Sequence, residues 1–265
     1  MALAVLQLVW AISVLLKPIL LKQKDQVENG ELPPVSVVVV AKNEKKNLEV
    51  LIPNILEQDY PDFELIVVDD QSWDGSYEYL HDVIEKHKNV ELVALGDFVH
   101  SKPGKKLALT LGIKKAKNEV ILLTDADCQP ASKNWIKEMA SSYNEETEVV
   151  LGFSPYSKKA GIINPFVIYE AFWVAWQYLG FALMGMPYMG VGRNLSYKKS
   201  TFLKNKGFAN NLKVPFGDDD LLIQEIATGA NTQVSLNPES FVYSNPKKGP
   251  MSWGKQKRRH LSAGK

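Results

Sequence analysis

Asp125 and Asp127 stand one residue apart, directly after the apolar run of residues 120–123. Carboxylates this close raise each other's pKa unless a cation neutralises them. Hard divalent ions take oxygen ligands from such pairs, often with substrate phosphates completing the shell. Asp69 and Asp70 follow a second apolar run. Carboxylates at a strand end accept hydrogen bonds from a nucleobase or ribose, and an Asp-rich turn ahead of a helix is the plain alternative. A third group, Asp218, Asp219 and Asp220, opens a stretch in which Leu221, Leu222 and Ile226 take helical spacing. The helix dipole favours acids there, but three in a row exceed what capping requires, and crowding raises one of them toward the range of a general base. In AKNEKKNL, Asn43 and Glu44 start a helix after another apolar run, which by itself reads as an ordinary capped N-terminus.

The elements that must carry these groups follow from hydrophobic pattern. Residues 35–41, VSVVVVA, are β-branched and apolar throughout rather than alternating, as in a strand covered on both faces. Further strand-like runs at 63–68, 90–95, 119–124 and 147–153 alternate with helical patterns near 45–57, 75–87, 103–117 and 131–143. This alternation predicts an α/β fold with a doubly wound, mainly parallel sheet, whose ligands sit beyond the carboxyl ends of the strands. The Asp pairs fall there.

Composition narrows the classes. The 265 residues are 45% apolar and 23% charged, enough for one large domain or two small ones. With 31 basic against 30 acidic residues the formal charge is +1, so no nucleic-acid partner is expected. One cysteine, Cys128, excludes an internal disulfide framework, and neither it nor His81, His87 and His100 has metal-site spacing in the sequence.

Residues 2–21, ALAVLQLVWAISVLLKPILL, carry Lys17 as their one charge. A helix of about 20 residues rises roughly 30 Å, one hydrocarbon core. Residues 1–22 are therefore expected to be a single membrane anchor, with a partner-bound amphipathic helix as the alternative. Lys17, Lys22 and Lys24 follow the run and no basic residue precedes it, which places the rest of the chain on the cytoplasmic side of the membrane. Residues 23–34 read as a linker and 35–265 as the functional domain. Residues 164–186 are apolar and aromatic but include Glu170 and Gln177; an interfacial helix and a plain core helix both fit. GVGRNLSY, residues 190–197, reads as a tight turn into a strand. Six lysines and arginines crowd residues 247–259, as in a patch facing anionic lipid.

The strand-end DD at 69–70, the DAD at 125–127, the acidic helix start at 218–220 and QKRRH at 256–260 occur in the order seen in family 2 glycosyltransferases, which this sequence resembles from about residue 35 to 260. That group has the GT-A fold and includes cellulose, chitin and hyaluronan synthases. The resemblance implies a nucleotide-diphosphate-sugar donor, a UDP-sugar in the first instance, a Mg2+ or Mn2+ ion, and inversion at the anomeric carbon. It divides the domain into a nucleotide-sugar half, 35–130, and an acceptor half, 131–265. By position it implies that Ala41 and Glu44 line the nucleoside pocket, that Asp69 or Asp70 bonds the base, and that Lys105 approaches the nucleotide. Asp125 holds the ribose or the metal shell, and Asp127 ligates the ion. Where the family has Glu-Asp, this chain has Gly217 followed by Asp218, so Asp218 aligns with the base and Asp219 is the second choice. Gln256 and Arg259 match the family's QxxRW, with His260 in place of Trp, which argues against processive polymer synthesis. Arg193 and Asn194, in the GVGRNLSY turn, are candidate acceptor or diphosphate contacts, and Asp220 is a candidate acceptor contact. The acceptor is expected to be lipid-linked or a glycan, and the chain to be either a fragment of a longer membrane protein or a single-anchor enzyme. A nucleotidyltransferase and a non-catalytic membrane protein retaining the fold are the rival readings.

Overall fold

The β-branched runs form strands as their composition demands. The structure, a computed structural model, describes residues 2–20, 32–96, 104–158, 164–211, 214, 217–246, 249, 253–254 and 257–258. Strands β1 (Val35–Ala41), β2 (Phe63–Asp69), β3 (Val90–Ala94), β4 (Val120–Asp125), β6 (Val149–Gly152), β7 (Leu195–Lys198) and β8 (Thr232–Ser235) make one seven-stranded sheet in the order β3-β2-β1-β4-β7-β6-β8. All pairings are parallel except those of β7, which runs antiparallel to both neighbours. This one sheet spans residues on both sides of the expected 130/131 division.

Alternation along β1 sorts its valines to two faces. Val35, Val37 and Val39 pack with Leu48, Leu51 and Ile52 of α2 (Lys45–Leu56), while Val38 packs with Leu109 and Ile113 of α4 (Lys105–Lys115) on the other side. Helix α3 (Ser76–Lys86) joins the first face. Burying each such valine contributes roughly 1.5–3 kcal/mol relative to exposure, which is why an uninterrupted apolar run settles in the middle of a covered sheet. Gly112 lets α4 lie close: a Cβ there would come within 2.8 Å of Val38 and Val68.

One expectation changes. The helix foreseen over 131–143 is only α5 (Trp135–Ala140), because Ser132 turns the preceding chain through a bond from the Asn134 N–H to its hydroxyl. Directly after the DAD motif comes a short strand that the sequence did not announce, β5 (Cys128–Pro130), paired antiparallel with β9 (Val242–Ser244), a partner more than a hundred residues away.

Helix α1 (Ala2–Leu20) lies along α6 (Asn164–Leu183). The Trp176 indole N–H donates to the Leu15 carbonyl at 2.9 Å, Trp10 meets Phe181 edge-on at 5.2 Å, and at Gly180 a Cβ would lie 2.4 Å from the Val14 carbonyl oxygen. The outer side of α1 stays apolar and open, with Leu8 and Ile19 more than three-fifths exposed. Among the described residues, α6 is the one helix long and apolar enough to cross a membrane, and the apolar part of α1 is shorter, Gln7–Leu20. Helices α7 (Lys199–Lys204) and α8 (Asp218–Ile226) complete the second half.

Candidate active site

Parallel register puts the site residues at one edge. Ala41 pairs with Asp69 across β1 and β2, and Val40 pairs with Asp125 across β1 and β4, so three strand ends present Ala41, Asp69 and Asp125 side by side. The turns beyond are clipped to each other. The Asn43 N–H donates to the Ser72 hydroxyl at 2.9 Å, and the Trp73 N–H donates to the Asn43 side-chain oxygen at 2.9 Å. Both turns use left-handed backbone at non-glycine positions, Asn43 (φ 56°) and Gln71 (φ 58°), a strained arrangement that the reciprocal bonds hold.

Asp69 and Asp70 are buried, each with one carboxylate oxygen engaged and one, Oδ1, buried without a hydrogen-bond partner. The Ser72 N–H donates to Asp69, and the Lys42 ammonium lies 3.3 Å from Asp70. Burial lifts the Asp70 carboxyl above the usual range against the pull of Lys42. Orphan acceptors at a strand edge are the chemistry a base or ribose satisfies. Ala41 has its methyl in the core, and its carbonyl accepts from the Asp70 N–H at 2.8 Å, so it sets Asp70 in place. Glu44 starts α2, where its carboxylate accepts from the Asn47 amide.

Lys105, first residue of α4, reaches the middle of the acidic groups. Its ammonium is 2.9 Å from Asp125 and 3.5 Å from Asp218, joining the end of β4 to the start of α8. Burial lowers the lysine's proton affinity, but Asp125, Asp219 and Asp218 outweigh it and hold it firmly charged. Its neighbour Lys106 points elsewhere and donates to the Asn211 and Val214 carbonyls at 2.7 and 2.8 Å, fixing the chain that leads into α8.

The three acids of α8 differ. Burial works against the charge on Asp218, but Lys105 overrides it and keeps the carboxyl below the usual range. Burial, reinforced by the Asp218 charge, pushes Asp219 well up, and its Oδ2 accepts from the Gly192 N–H at 2.6 Å. A Cβ at position 192 would meet that carboxylate at 2.6 Å, so only glycine lets it approach the backbone. Asp220 is pushed up to about 6 by burial and by Asp218, and its Oδ1 is buried without a partner. All three line a cavity of about 320 Å³, together with Lys105, Asp125 and Arg193.

Asp125 and Asp127 offer carboxylate oxygens, and Cys128 its sulfur, within 4.8 Å of one another. The oxygens suit a hard cation such as Mg2+ or Mn2+; the Cys128 thiol is buried and its pKa strongly raised by that burial, so it remains neutral and a poor ligand for such ions. The proximity of Cys128 to the pair was not foreseen from spacing.

In the wall of the cavity, the Arg193 guanidinium sits 4.7 Å over the Tyr156 ring and its Nη1 is buried without a hydrogen bond. Asn194 corrects the sequence reading. It is fully buried, accepts from the Trp135 indole N–H at 3.0 Å and donates to the Phe153 and Ser240 carbonyls at 2.9 and 2.8 Å. With its amide consumed, it is an internal brace and not an acceptor contact. Gln256, Arg259 and His260 lie outside the described residues. Sequence reasoning missed Gly192, for which the small residues of GVG were the available signal, and Lys106, for which there was none.

A mainly parallel sheet with acids at the carboxyl ends of β2 and β4, the latter sharing a cavity with an acidic helix start, is the GT-A architecture. The chain belongs to glycosyl transferase family 2, whose family model matches residues 36–183, more than half of its length. It is 32% identical over 96 residues to an uncharacterized glycosyltransferase of Haemophilus influenzae, covering 36% of this chain and 37% of that protein. The chain spans between 20% and 37% of the length of curated relatives it matches. Mannosyltransferase PcManGT from Pyrobaculum calidifontis, solved with GDP-Man and Mn2+, superposes with a TM-score of 0.69 at 22% identity, covering 95% of this chain and 72% of that one. S. aureus TarS 1-349 in complex with UDP-GlcNAc superposes with a TM-score of 0.57 at 19% identity, covering 82% and 60%. These likenesses establish the shared fold.

Proposed function

We propose that the chain transfers a sugar from a nucleotide-diphosphate donor, with inversion, to a lipid-linked or glycan acceptor at a membrane. The carrying observation is the Lys105 bridge, which brings Asp125 at the end of β4 and Asp218 at the start of α8 to one ammonium. Solved relatives in complex with GDP-Man and Mn2+ and with UDP-GlcNAc support the donor class and the metal, and leave both UDP and GDP to be tested.

The base and ribose go to the Asp69–Asp70 edge, whose two orphan oxygens accept hydrogen bonds. Asp125 and Asp127 would hold Mg2+ or Mn2+, which when bound would offset negative charge on the diphosphate leaving group. Lys105 adds a second positive charge at the same place. Asp218, kept ionised, takes the proton of the acceptor hydroxyl on the face opposite the leaving group, and Asp219 is the alternative base. Attraction of Lys105 to the diphosphate weakens its hold on Asp218 and makes that carboxylate more basic once donor is bound. Asp220 and Arg193 line the acceptor end. Apolar α1, packed on α6, anchors the protein at the cytoplasmic face of the bilayer. The open apolar side of α1 supports that placement.

Incubation with a panel of UDP- and GDP-sugars in Mn2+, followed by product analysis, tests the reading. No transfer, and no metal-dependent binding of either nucleotide, would refute it in favour of a non-catalytic protein with this fold. Asp218→Asn abolishes transfer with donor binding retained; continued turnover assigns the base to Asp219.

A further inference from the structure

Helix α6 presents two adjacent faces to two different spaces. Val167, Glu170 and Val174, spaced three and four apart, line the acidic cavity. Pro165, Ile168, Tyr169 and Phe172 carry the same spacing one step around the helix and line a second space of about 640 Å³, walled opposite by Phe153 and Pro155. The second space is apolar along its length, with Lys158 as its one charged wall residue. Tyr156 lines both spaces, and on its ring sits the Arg193 guanidinium, with one nitrogen buried and unbonded.

We infer that the groove seats the hydrocarbon chain of an amphiphilic acceptor whose anionic head, a phosphate, is held at Arg193 in the catalytic cavity. The two ends of such a molecule match what the two spaces offer. The groove supplies mostly aromatic and aliphatic walls, with the Tyr156 and Tyr169 hydroxyls and the Lys158 ammonium as its polar groups, and 640 Å³ falls within the range of roughly 300–1,000 Å³ usual for ligand sites. The cavity supplies a half-buried guanidinium with one nitrogen unbonded, the side chain best shaped for a phosphate. A free glycan fits the first space and leaves the second empty of purpose. Tyr169 and Phe172 are 61% and 40% exposed, so both open to the surface from which an alkyl chain would enter. The assignment rests on the glycosyl-transfer reading and narrows its acceptor to a lipid phosphate.

The test uses single-chain alkyl phosphates on the full chain by isothermal titration, below their micelle concentrations. Decyl phosphate is expected to bind roughly a hundredfold more tightly than hexyl phosphate, since it has four more methylenes and each one buried is worth about threefold to fourfold. The Tyr169→Ser, Phe172→Ser double variant flattens that chain-length dependence, and Trp173→Ser, which lines neither space, preserves it. Decanol binds more weakly than decyl phosphate, and Arg193→Gln removes the difference. Chain-length dependence that survives the double variant assigns the binding to exposed apolar surface and overturns the proposal, as does affinity independent of chain length. Binding of UDP or GDP with Mn2+, measured on the same samples, separates the two levels. Nucleotide binding without alkyl phosphate selectivity overturns the groove alone, and loss of both overturns the glycosyl-transfer reading with it.

Discussion

Replacing Asn194 by alanine removes the one side chain that ties three separate parts of the second half together. The indole of Trp135 on α5, the carbonyl of Phe153 after β6 and the carbonyl of Ser240 all bond to its amide. Phe153 keeps a second partner, since its carbonyl also accepts from the Val242 N–H at 3.3 Å. The Trp135 N–H and the Ser240 carbonyl are therefore the groups left unpaired in a dry interior. At roughly 1–3 kcal/mol for each orphaned group, with a small cavity added, the variant loses about 4 kcal/mol. For a chain of this size that lowers the melting temperature by roughly 10 °C. Urea denaturation of wild type and variant, with nucleotide binding measured on the folded fraction, checks both parts. A loss of less than about 1 kcal/mol, accompanied by a raised acceptor KM, would refute the brace and restore Asn194 as an acceptor contact.

Further outcomes concern the charges and the helix pair. Lys105→Met is expected to weaken binding of nucleotide with Mn2+ by roughly tenfold or more, because two carboxylates lose their shared counter-ion; calorimetry reads this directly. Asp127→Asn should abolish the Mn2+ dependence of nucleotide binding, seen as coincident titrations with and without the ion. The raised Asp220 carboxyl favours the folded state while it is neutral, so its contribution is complete below about pH 4, the unfolded value, and is lost as pH rises through about 6. Asp220→Asn is therefore expected to add about 1–3 kcal/mol at pH 8 and to be near neutral at pH 4, measured by denaturation at both. Gly180→Leu cannot be accommodated beside the Val14 carbonyl and should raise amide exchange throughout residues 5–20 by roughly tenfold, whereas unchanged exchange would show that α1 is held some other way.

The acidic strand ends were legible because an apolar run that ends in aspartate carries both its strand and its exit in a few consecutive residues, as at Asp69 and Asp125. The family resemblance implied a nucleotide contact for Lys105, but its bridge to Asp218, more than a hundred residues on, required the fold. Asn194 was misread for the same reason. A polar residue in a tight turn looks available, and the indole and carbonyls that consume it come from three distant segments. The pairing of β5 with β9 was equally hidden, since three residues are too few for any periodicity to register. Nor does an apolar helix state its partner: residues 1–22 read as a membrane anchor and 164–186 as an interfacial or a core helix, and nothing in either showed that Gly180, Trp176 and Phe181 would join them.

Lys105 and Lys106 are neighbours of the same type with unrelated tasks, and this governs how substitutions at the two positions should be interpreted. The first is a charge between carboxylates, and arginine can answer that need with its forked donors. The second is a compact donor buried against two backbone carbonyls, where a planar guanidinium has neither the room nor the geometry. A variant carrying arginine at 105 is thus an altered electrostatic centre on an intact scaffold. The same change one residue later displaces the loop that delivers α8, so a loss of activity there reports on where the acids stand and not on what they do.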